Sequence, residues 1–276
     1  MSIEIRNAKN IDRQALHAAM LDAFSDYDIP LQPTLDQFNA MLAQRQFDPE
    51  LSSIAVEGDE VLAVWFIGTH DHRAHLIASG TRIAHRGKGM AKQLAARSEA
   101  EIIKAGFKLI QFECLTSNQR ALRLYQKQGH EINREFDCFS LEIGDWADSD
   151  CEVKKVDWAT IAPHTTTLRD VMPSWQNEDF AVEAASEAAC LAAYANEKLV
   201  GYLAVAPSGA IYQLAVAQNH RRNHIGQSLL RHAAQAIEKP KLAFINIDKT
   251  DHETIGFLTH LGAQKTVSQY ELIKRF

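Results

Sequence analysis

Two stretches of the chain alternate apolar residues with small or polar ones. Residues 52–68 and 189–205 each do so on both sides of a short polar turn cluster, which predicts a β-hairpin in each stretch. Further along, residues 108–115 and 241–248 are short runs rich in apolar residues, as in buried strands. A short helical pattern follows each of these runs. The order of predicted elements is therefore the same in two parts of the chain.

An internal repeat underlies this common order. Residues 81–102 and 216–237 align at an offset of 135 residues, so that His85 falls on His220. Each copy has the pattern of a strand end followed by a long helix. A period of this size is that of a domain, whereas solenoid repeats have periods of roughly 20 to 50 residues. We therefore predict two tandem α+β domains.

The boundary between the domains is predicted within residues 143–155, where a strand-like run gives way to acidic and small residues. This puts one domain in residues 1–145 and the other in residues 150–276. Ahead of the first hairpin, Thr34 and Gln37 have the spacing of a capping box, which predicts the start of a helix.

Composition and charge exclude several classes of protein. Of the 276 residues, 46% are hydrophobic and 23% are charged, which is the balance of a folded protein. The net charge of −6 argues against sequence-independent nucleic-acid binding, which needs a basic surface. No apolar run reaches the ~18 residues of a membrane span, and the polar start is unlike a signal peptide. Four cysteines without CxxC spacing predict neither a zinc site nor a disulfide framework, so we expect a cytoplasmic protein.

A glycine-containing turn carries the most informative chemistry. It reads Arg86-Gly-Lys-Gly-Met-Ala91 and lies between a predicted strand that ends near Ile83 and a helix that begins near Met90. The first N–H groups of a helix have no intrahelical partner and, with the helix dipole, favour an anion. Gly87 and Gly89 would let the backbone approach such a ligand closely. The spacing matches neither the Walker loop nor the dinucleotide motif, so the residues predict an anion-binding turn.

Two segments of the first domain resemble the signatures of the GNAT superfamily of N-acetyltransferases. The form Arg86-x-x-Gly-x-Ala91 resembles its acyl-CoA pyrophosphate loop, and Asn118-x-x-Ala-x-x-x-Tyr-x-x-x-Gly129 resembles its second signature. The second domain resembles the same fold more weakly. The whole chain is similar to tandem-GNAT bacterial proteins that carry a Pro-Ser-Trp-Gln-Asn segment, here Pro173–Asn177. The resemblance implies that each domain is a twisted mixed sheet flanked by helices, with acyl-CoA held where the sheet splits open.

The resemblance also implies roles for individual residues. Acetyl-CoA would be the cofactor, with no metal, and its pantetheine arm would pair with the end of a splayed strand. Its pyrophosphate would lie on the main chain of the turn, and the Tyr125 hydroxyl would protonate the departing CoA thiolate. Asn118 would contact the pantetheine or anchor the turn beside it. The implied cofactor-binding residues are Thr81, Arg82, Ile83, Arg86, Gly87, Lys88, Gly89, Met90, Ala91, Asn118, Ala121 and Tyr125.

The general base is left open by the resemblance. Many relatives place a glutamate on the splayed strand, but residues 75–84 contain none. Glu113, on the adjoining strand, is a candidate base because burial would raise the pKa of its carboxyl. Its carboxylate could equally be the structural partner of a nearby arginine. His75 and a chain of water molecules are comparable candidates.

Closely spaced histidines do not predict a metal site. His70 and His72 would share one face of a strand, yet no further ligands complete a shell around them. His220 and His224 belong to the second copy of the turn, which already accounts for their spacing. We therefore predict no bound metal.

The second domain departs from the family pattern at three positions. His224 falls where Gly89 stands in the first copy, Asp251 falls where Asn118 stands, and Leu258 takes the place of the tyrosine. A negative charge and a bulkier residue beside the turn would disfavour an anionic cofactor. We expect this domain to be degenerate, and such a domain can still help shape the cleft for the acceptor or a dimer surface. The candidates to line that cleft are Asp170, Trp175 and Gln176.

Three functions are compatible with these residues. The first is an N-acetyltransferase that acts on a primary amine of a small molecule or peptide. The others are a non-catalytic acyl-CoA sensor and an enzyme for a different acyl group. Asp26, Tyr27 and Asp28 would favour a cationic acceptor if their loop faces the cleft. We expect no nucleic-acid or membrane partner, and the oligomeric state stays open, a homodimer included.

Overall fold

The computed structural model describes residues 2–26 and 31–276. Tyr27 and Asp28, named above as candidate acceptor-side residues, lie outside the described residues. The chain forms two compact units: the first comprises Met1–Phe112 with Ile273–Phe276, and the second comprises Glu113–Leu272. The division at residues 145–150, which follows the internal repeat, stays a sequence prediction.

The first unit is built on antiparallel strands with one parallel neighbour. Its strands are β1 (Glu4–Asn7), β2 (Phe47–Glu57), β3 (Glu60–His70), β4 (Arg73–Thr81) and the start of β5 (Leu109–Leu115), and its helices are α1 (Arg13–Ala23), α2 (Leu35–Gln44) and α3 (Met90–Lys104). The strands lie in the order β1–β2–β3–β4–β5. Strands β1 to β4 pair antiparallel, and β4 and β5 run parallel, with His75 opposite Gln111 at the last pair of their ladder.

Helices cover both faces of the first sheet. Ile54 of β2 belongs to a core cluster that includes Leu16 of α1 and Phe38 of α2. The next residue back, Ser53, points to the opposite face, since side chains alternate along a strand. There its hydroxyl lies 2.8 Å from that of Ser98 on α3. The predicted hairpin at residues 52–68 and the capping box at Thr34 are both confirmed.

The second unit repeats this plan. Its helices are α4 (Gln119–Lys127), α5 (Trp158–Ile161), α6 (Thr165–Leu168), α7 (Asp179–Ala184), α8 (Ile225–Ala236) and α9 (His252–His260). Its strands are β6 (Glu131–Glu142), β7 (Glu152–Val156), β8 (Ala189–Ala195), β9 (Lys198–Val205), β10 (Ala210–Val216), β11 (Lys241–Asp248) and most of β12 (Gln264–Arg275). They lie in the order β12–β6–β11–β10–β9–β8–β7.

The pairing of β10 with β11 is short. These parallel strands share a ladder only where Ala210 and Ile211 face Ala243 and Phe244. The remainder of β10 is bonded to β9 on its other edge, so a gap opens between β10 and β11 beyond the short ladder. The mixed α/β architecture predicted for both halves is confirmed. None of the helices in residues 2–26 and 31–276 is long and apolar enough to cross a membrane.

Candidate functional site

The first copy of the turn joins β4 to α3. Gly87 and Gly89 have φ angles of 81° and 75°, in the left-handed region that glycine enters at little cost. Gly89 is the N-cap of α3 and supplies no capping side chain. A Cβ built on either glycine would meet no atom within 4 Å. The glycines therefore adopt this backbone conformation at little cost, and the space next to them is open.

The N–H groups of this turn are available to a ligand. The Arg86 N–H donates to the Ile83 carbonyl (3.3 Å), and the next bond along the chain runs from the Gln93 N–H to the Gly89 carbonyl (3.3 Å). Within the described part of the chain, no acceptor is bonded to the N–H groups of Gly87–Gly89. Together with the positive end of the α3 dipole, they form a site suited to an anion.

The Arg86 side chain does not extend into that open space. Its Nη1 donates to Asp26 Oδ2 (2.7 Å), and its Nη2 donates to Asp26 Oδ1 (2.8 Å) and to the Ala23 carbonyl (2.9 Å). Its Nε donates to the Thr81 carbonyl (3.3 Å). The hydrogen bonds to Arg86 lower the pKa of the Asp26 carboxyl, which is therefore ionised at neutral pH. Because Asp26 is neutralised by Arg86, it adds little to the attraction of a cationic acceptor.

The residues just before the turn are also bonded to other groups of the protein. Arg82 Nε donates to the Val61 carbonyl (2.7 Å), and its Nη1 lies 3.3 Å from Asp22 Oδ2. The Ile83 N–H donates to Asp22 Oδ1 (2.9 Å). Arg82 and Ile83 thus build the base of the turn. Of the other residues predicted at the turn, Lys88 is exposed, Met90 is buried and Ala91 is half-buried.

The second signature lies in the second unit, on α4. Asn118 is the N-cap of this helix, and its Oδ1 accepts a hydrogen bond from the Ala121 N–H (3.1 Å). Tyr125 is buried, with 8% of its surface exposed, and its ring meets that of His130 edge-on at 5.9 Å. The main-chain carbonyl of Tyr125 accepts from His130, whose Nδ1 lies at 3.1 Å. Asn118 therefore anchors the start of the helix that carries the tyrosine.

Glu113 lies in the field of an arginine. Burial alone would lower the pKa of Arg134, but hydrogen bonds and charge from Glu271 raise it, with smaller contributions from Asp248 and Glu113. Arg134 Nη2 lies 2.6 Å from Glu271 Oε1. The structural role that the sequence left open for Glu113, as a partner of an arginine, is therefore compatible with its surroundings.

His75, the other candidate base, is a buried group of β4. Burial, reinforced by the charges of Arg45 and Arg73, holds the pKa of its imidazole well below 6.5. A neutral imidazole with so low a pKa is a weak base. In residues 2–26 and 31–276, no three His, Cys, Asp or Glu side chains come together as a metal site.

The second copy of the turn keeps the backbone of the first. Arg222 and His224 have φ angles of 65° and 57°, where the first copy has two glycines. Arg221 repeats two kinds of contact made by its counterpart, since its Nη2 lies 2.6 Å from Asp170 Oδ2 and its Nε donates to the Val216 carbonyl (3.0 Å). The turn geometry is therefore shared although the glycines are not.

The other two departures fit the same fold. Asp251 caps α9 by accepting a hydrogen bond from the Thr254 N–H (3.0 Å), as Asn118 caps α4. Leu258 is fully buried in the core of the second unit. The substitutions thus preserve the helix, while the amide and the phenolic hydroxyl of the first copy are missing.

A cavity of about 530 Å³ opens within the second unit between β10, β11 and α9. Arg222 and His224 line it from the turn, while Asp251 and Glu253 line it from α9. The ring of Phe257 packs against the first turn of α8, where a Cβ on Gly226 would lie 2.8 Å from it. Acidic and aromatic groups therefore flank the N–H groups of this turn.

The two ends of the segment Pro173–Asn177 line this cavity. Asn177 Nδ2 donates to the Ile245 carbonyl of β11 (2.8 Å), and the Asn177 carbonyl accepts from Gln213 Nε2 of β10 (2.7 Å). The Tyr202 hydroxyl donates to Gln213 Oε1 (2.6 Å), and burial raises the pKa of Tyr202. One asparagine therefore bridges the two strands where they diverge.

The three residues that the sequence suggested for the acceptor cleft differ in their position relative to this cavity. Asp170 lines the cavity, whereas Trp175 is fully buried and packs on Phe180 at 5.0 Å between ring centroids. Gln176 is half-buried and is not part of the lining. The sequence reasoning missed Asn177, although it stands at the end of the Pro-Ser-Trp-Gln-Asn segment.

Comparison with known proteins identifies the family. The sequence profile of the Acetyltransferase (GNAT) family matches twice, at residues 15–130 and 152–263. None of the curated proteins matches the chain. The two matched regions together cover most of the sequence.

Solved structures share the fold over almost the whole chain. A tandem GNAT protein from the clavulanic acid biosynthesis pathway has a TM-score of 0.74 at 13% identity, over 99% of this chain and 98% of that one. A GCN5-related N-acetyltransferase from Sphaerobacter thermophilus has a TM-score of 0.72 at 14% identity, over 99% and 95%. Another, from Anabaena variabilis, has a TM-score of 0.63 at 14% identity, over 99% and 72%. The chain belongs to the GNAT acetyltransferase family and carries two GNAT domains in tandem.

Proposed function

We propose that the chain is an acetyl-CoA-dependent N-acetyltransferase whose cofactor turn is Gly87–Ala91. The family fold supports acyl-CoA-dependent N-acyl transfer in general. The observation that carries the proposal is the first turn, where left-handed glycines leave uncapped N–H groups beside open space. Main-chain donors at a helix start suit a diphosphate. Lys88, exposed within the turn, adds positive charge.

Tyr125 is proposed as the general acid. In direct transfer, a bond forms between the acceptor nitrogen and the acetyl carbon, and the carbon–sulfur bond breaks. The Tyr125 hydroxyl gives its proton to the departing sulfur, and the amine proton goes to a base. A phenol with a pKa of ~10 is a suitable donor to a thiolate formed away from water. The burial of Tyr125 on α4 supports such a site.

Glu113 is our candidate for the base, with a water molecule as the alternative. Its carboxylate lies on β5, just ahead of the helix that carries Tyr125. His75 is the weaker candidate because its pKa is so low.

The proposed acceptor is a primary amine of a small molecule or peptide. Thiol release from acetyl-CoA tests the reaction with a panel of polyamines, amino sugars and peptides. Tyr125→Phe is expected to lower kcat by about 10²-fold or more, the usual contribution of general acid–base catalysis, with little change in KM for acetyl-CoA. Tyr194→Phe, on a strand of the second unit, is the matched control.

The same assay separates the enzyme from a sensor. Binding of CoA with no thiol release for any amine, and no effect of Tyr125→Phe, would contradict the proposal and favour a non-catalytic acyl-CoA-binding protein. Release with succinyl-CoA or a longer acyl chain but not with acetyl-CoA would keep the fold and the turn while changing the acyl group.

A further inference from the structure

The Arg86 guanidinium joins three parts of the first unit. Four hydrogen bonds leave it, toward Asp26 twice, Ala23 at the end of α1 and Thr81 at the end of β4. These use most of the N–H donors of an arginine. A guanidinium committed in this way has little left to offer a phosphate. Its contacts instead fix the residue at which the turn begins.

The second unit provides an internal comparison. Its turn has a histidine and an arginine in the left-handed positions, so glycine is not what the two turns have in common. They share the arginine at the first position, its bond to the carbonyl at the preceding strand end, and an aspartate oxygen on one of its Nη atoms. In the first unit the aspartate holds both Nη atoms. Asp26 follows α1 and Asp170 follows α6, in surroundings of unrelated sequence. The arginine–aspartate pair therefore accompanies the turn geometry in both units.

The charge of the pair is a minor part of its effect. The side chains of Arg86 and Asp26 are 38% and 51% exposed, so solvent screens their attraction. Geometry is the larger part, because a bidentate carboxylate fixes the plane of the guanidinium and the orientation of the bonds that its other nitrogens make. A lysine could supply the charge but not this arrangement.

We propose that Asp26 is a positioning residue of the cofactor turn: by holding the Arg86 guanidinium, it fixes the main chain of Gly87–Gly89, whose N–H groups receive the diphosphate. This rests on the proposed function, because it takes the turn as the cofactor site. In this proposal the Arg86 side chain holds the turn in place and does not bind the ligand. Asp26 itself touches neither the cofactor nor the reacting atoms.

Calorimetric titration of the full chain with CoA tests the proposal. Asp26→Asn and Arg86→Gln are each expected to raise the Kd several-fold, and the double variant to be no worse than either single one, since both remove the same contact. Arg86→Lys should behave like Arg86→Gln. In turnover, Asp26→Asn should raise KM for acetyl-CoA and leave kcat at saturation unchanged.

Asp170→Asn is the matched control, because it breaks the equivalent pair in the second unit. It is expected to leave CoA affinity unchanged. Tighter or unaltered binding by Asp26→Asn would show that the freed guanidinium is itself a ligand or that the pair is irrelevant, and would overturn the proposal. Full CoA affinity in Arg86→Lys would also overturn it, as would a loss of CoA affinity in Asp170→Asn equal to that in Asp26→Asn. Failure of the unaltered chain to bind CoA would instead remove the proposed function, on which the role of Asp26 depends.

Discussion

His224 has the same left-handed backbone as Gly89, with a φ of 57° against 75°, and each is the N-cap of the helix that follows its turn. The backbone of the anion-binding turn thus survives the loss of glycine. What changes is the space beside it: His224 brings a Cβ and a ring whose Nδ1 lies 2.6 Å from Gln227 Oε1. The ring therefore folds back toward the first turn of α8.

Placing this histidine in the first turn tests the difference. Gly89→His is expected to fold, with a loss of stability of about 1 to 2 kcal/mol for a side chain in the left-handed region. It should weaken CoA binding at least tenfold, because the side chain occupies the open space next to the N–H groups. Thermal unfolding and calorimetry measure the two effects. Unchanged affinity would mean that the ligand does not lie on this turn.

The stoichiometry of CoA binding distinguishes the two units. We expect one site per chain, abolished by Gly89→Trp. In the second unit, Asp251 and Glu253 place negative charge on the cavity wall, and Asn177 already bridges the diverging strands. Calorimetry gives the number directly. Two sites of similar affinity would show that the second cavity accepts the cofactor in spite of these groups.

The sequence predicts local and repeated features of this protein well. The hairpins, the capping box at Thr34 and the order of elements in both halves depend on patterns within a few residues, and each is present. The partner of Arg86 could not be predicted in this way. Asp26 lies 60 residues earlier in the chain, and nothing local to either residue indicates the pair.

The hydrogen bonds by which Asn177 bridges β10 and β11 could not be predicted from the sequence for a related reason. Its bonds to β10 and β11 join residues 36 and 68 positions away. The segment Pro173–Asn177 stands out in the sequence, but a short run of Trp, Gln and Asn does not indicate which of these residues faces a cavity. The fold places Trp175 in the core and the asparagine beside the opening.

Breaking the buried ion pair of Arg134 and Glu271 is predicted to destabilise the second unit strongly. Glu271 is 2% exposed, and its two oxygens accept from Arg134 at 2.6 and 3.0 Å. Removing one partner of a buried pair leaves an uncompensated charge, at a cost of about 3 to 5 kcal/mol. Urea unfolding of Glu271→Gln measures this loss.

An exposed pair provides the control for that measurement. Glu50→Gln removes the contact of Lys9 with Glu50, at 2.6 Å, in which both side chains are more than half exposed. Its effect on the urea midpoint should be small. A loss for Glu271→Gln no larger than for Glu50→Gln would show that Arg134 is satisfied by Asp248 and the carbonyls of Met172 and Pro173.

His75 is predicted to make the stability of the first unit depend on pH. Burial, with the charges of Arg45 and Arg73, lowers its pKa well below 6.5, so the folded chain keeps the ring neutral while the unfolded chain binds a proton. The unfolded state therefore holds more protons as the pH falls below about 6.5, and stability decreases in that direction by up to about 1.4 kcal/mol per pH unit. Above pH 6.5 the imidazole is neutral in both states, so this loss of stability is absent there.

His75→Gln should flatten the dependence of stability on pH in urea titrations between pH 5 and 7, whereas His72→Gln, at an exposed position, should not. An unchanged slope in His75→Gln would mean that other groups govern the acid sensitivity.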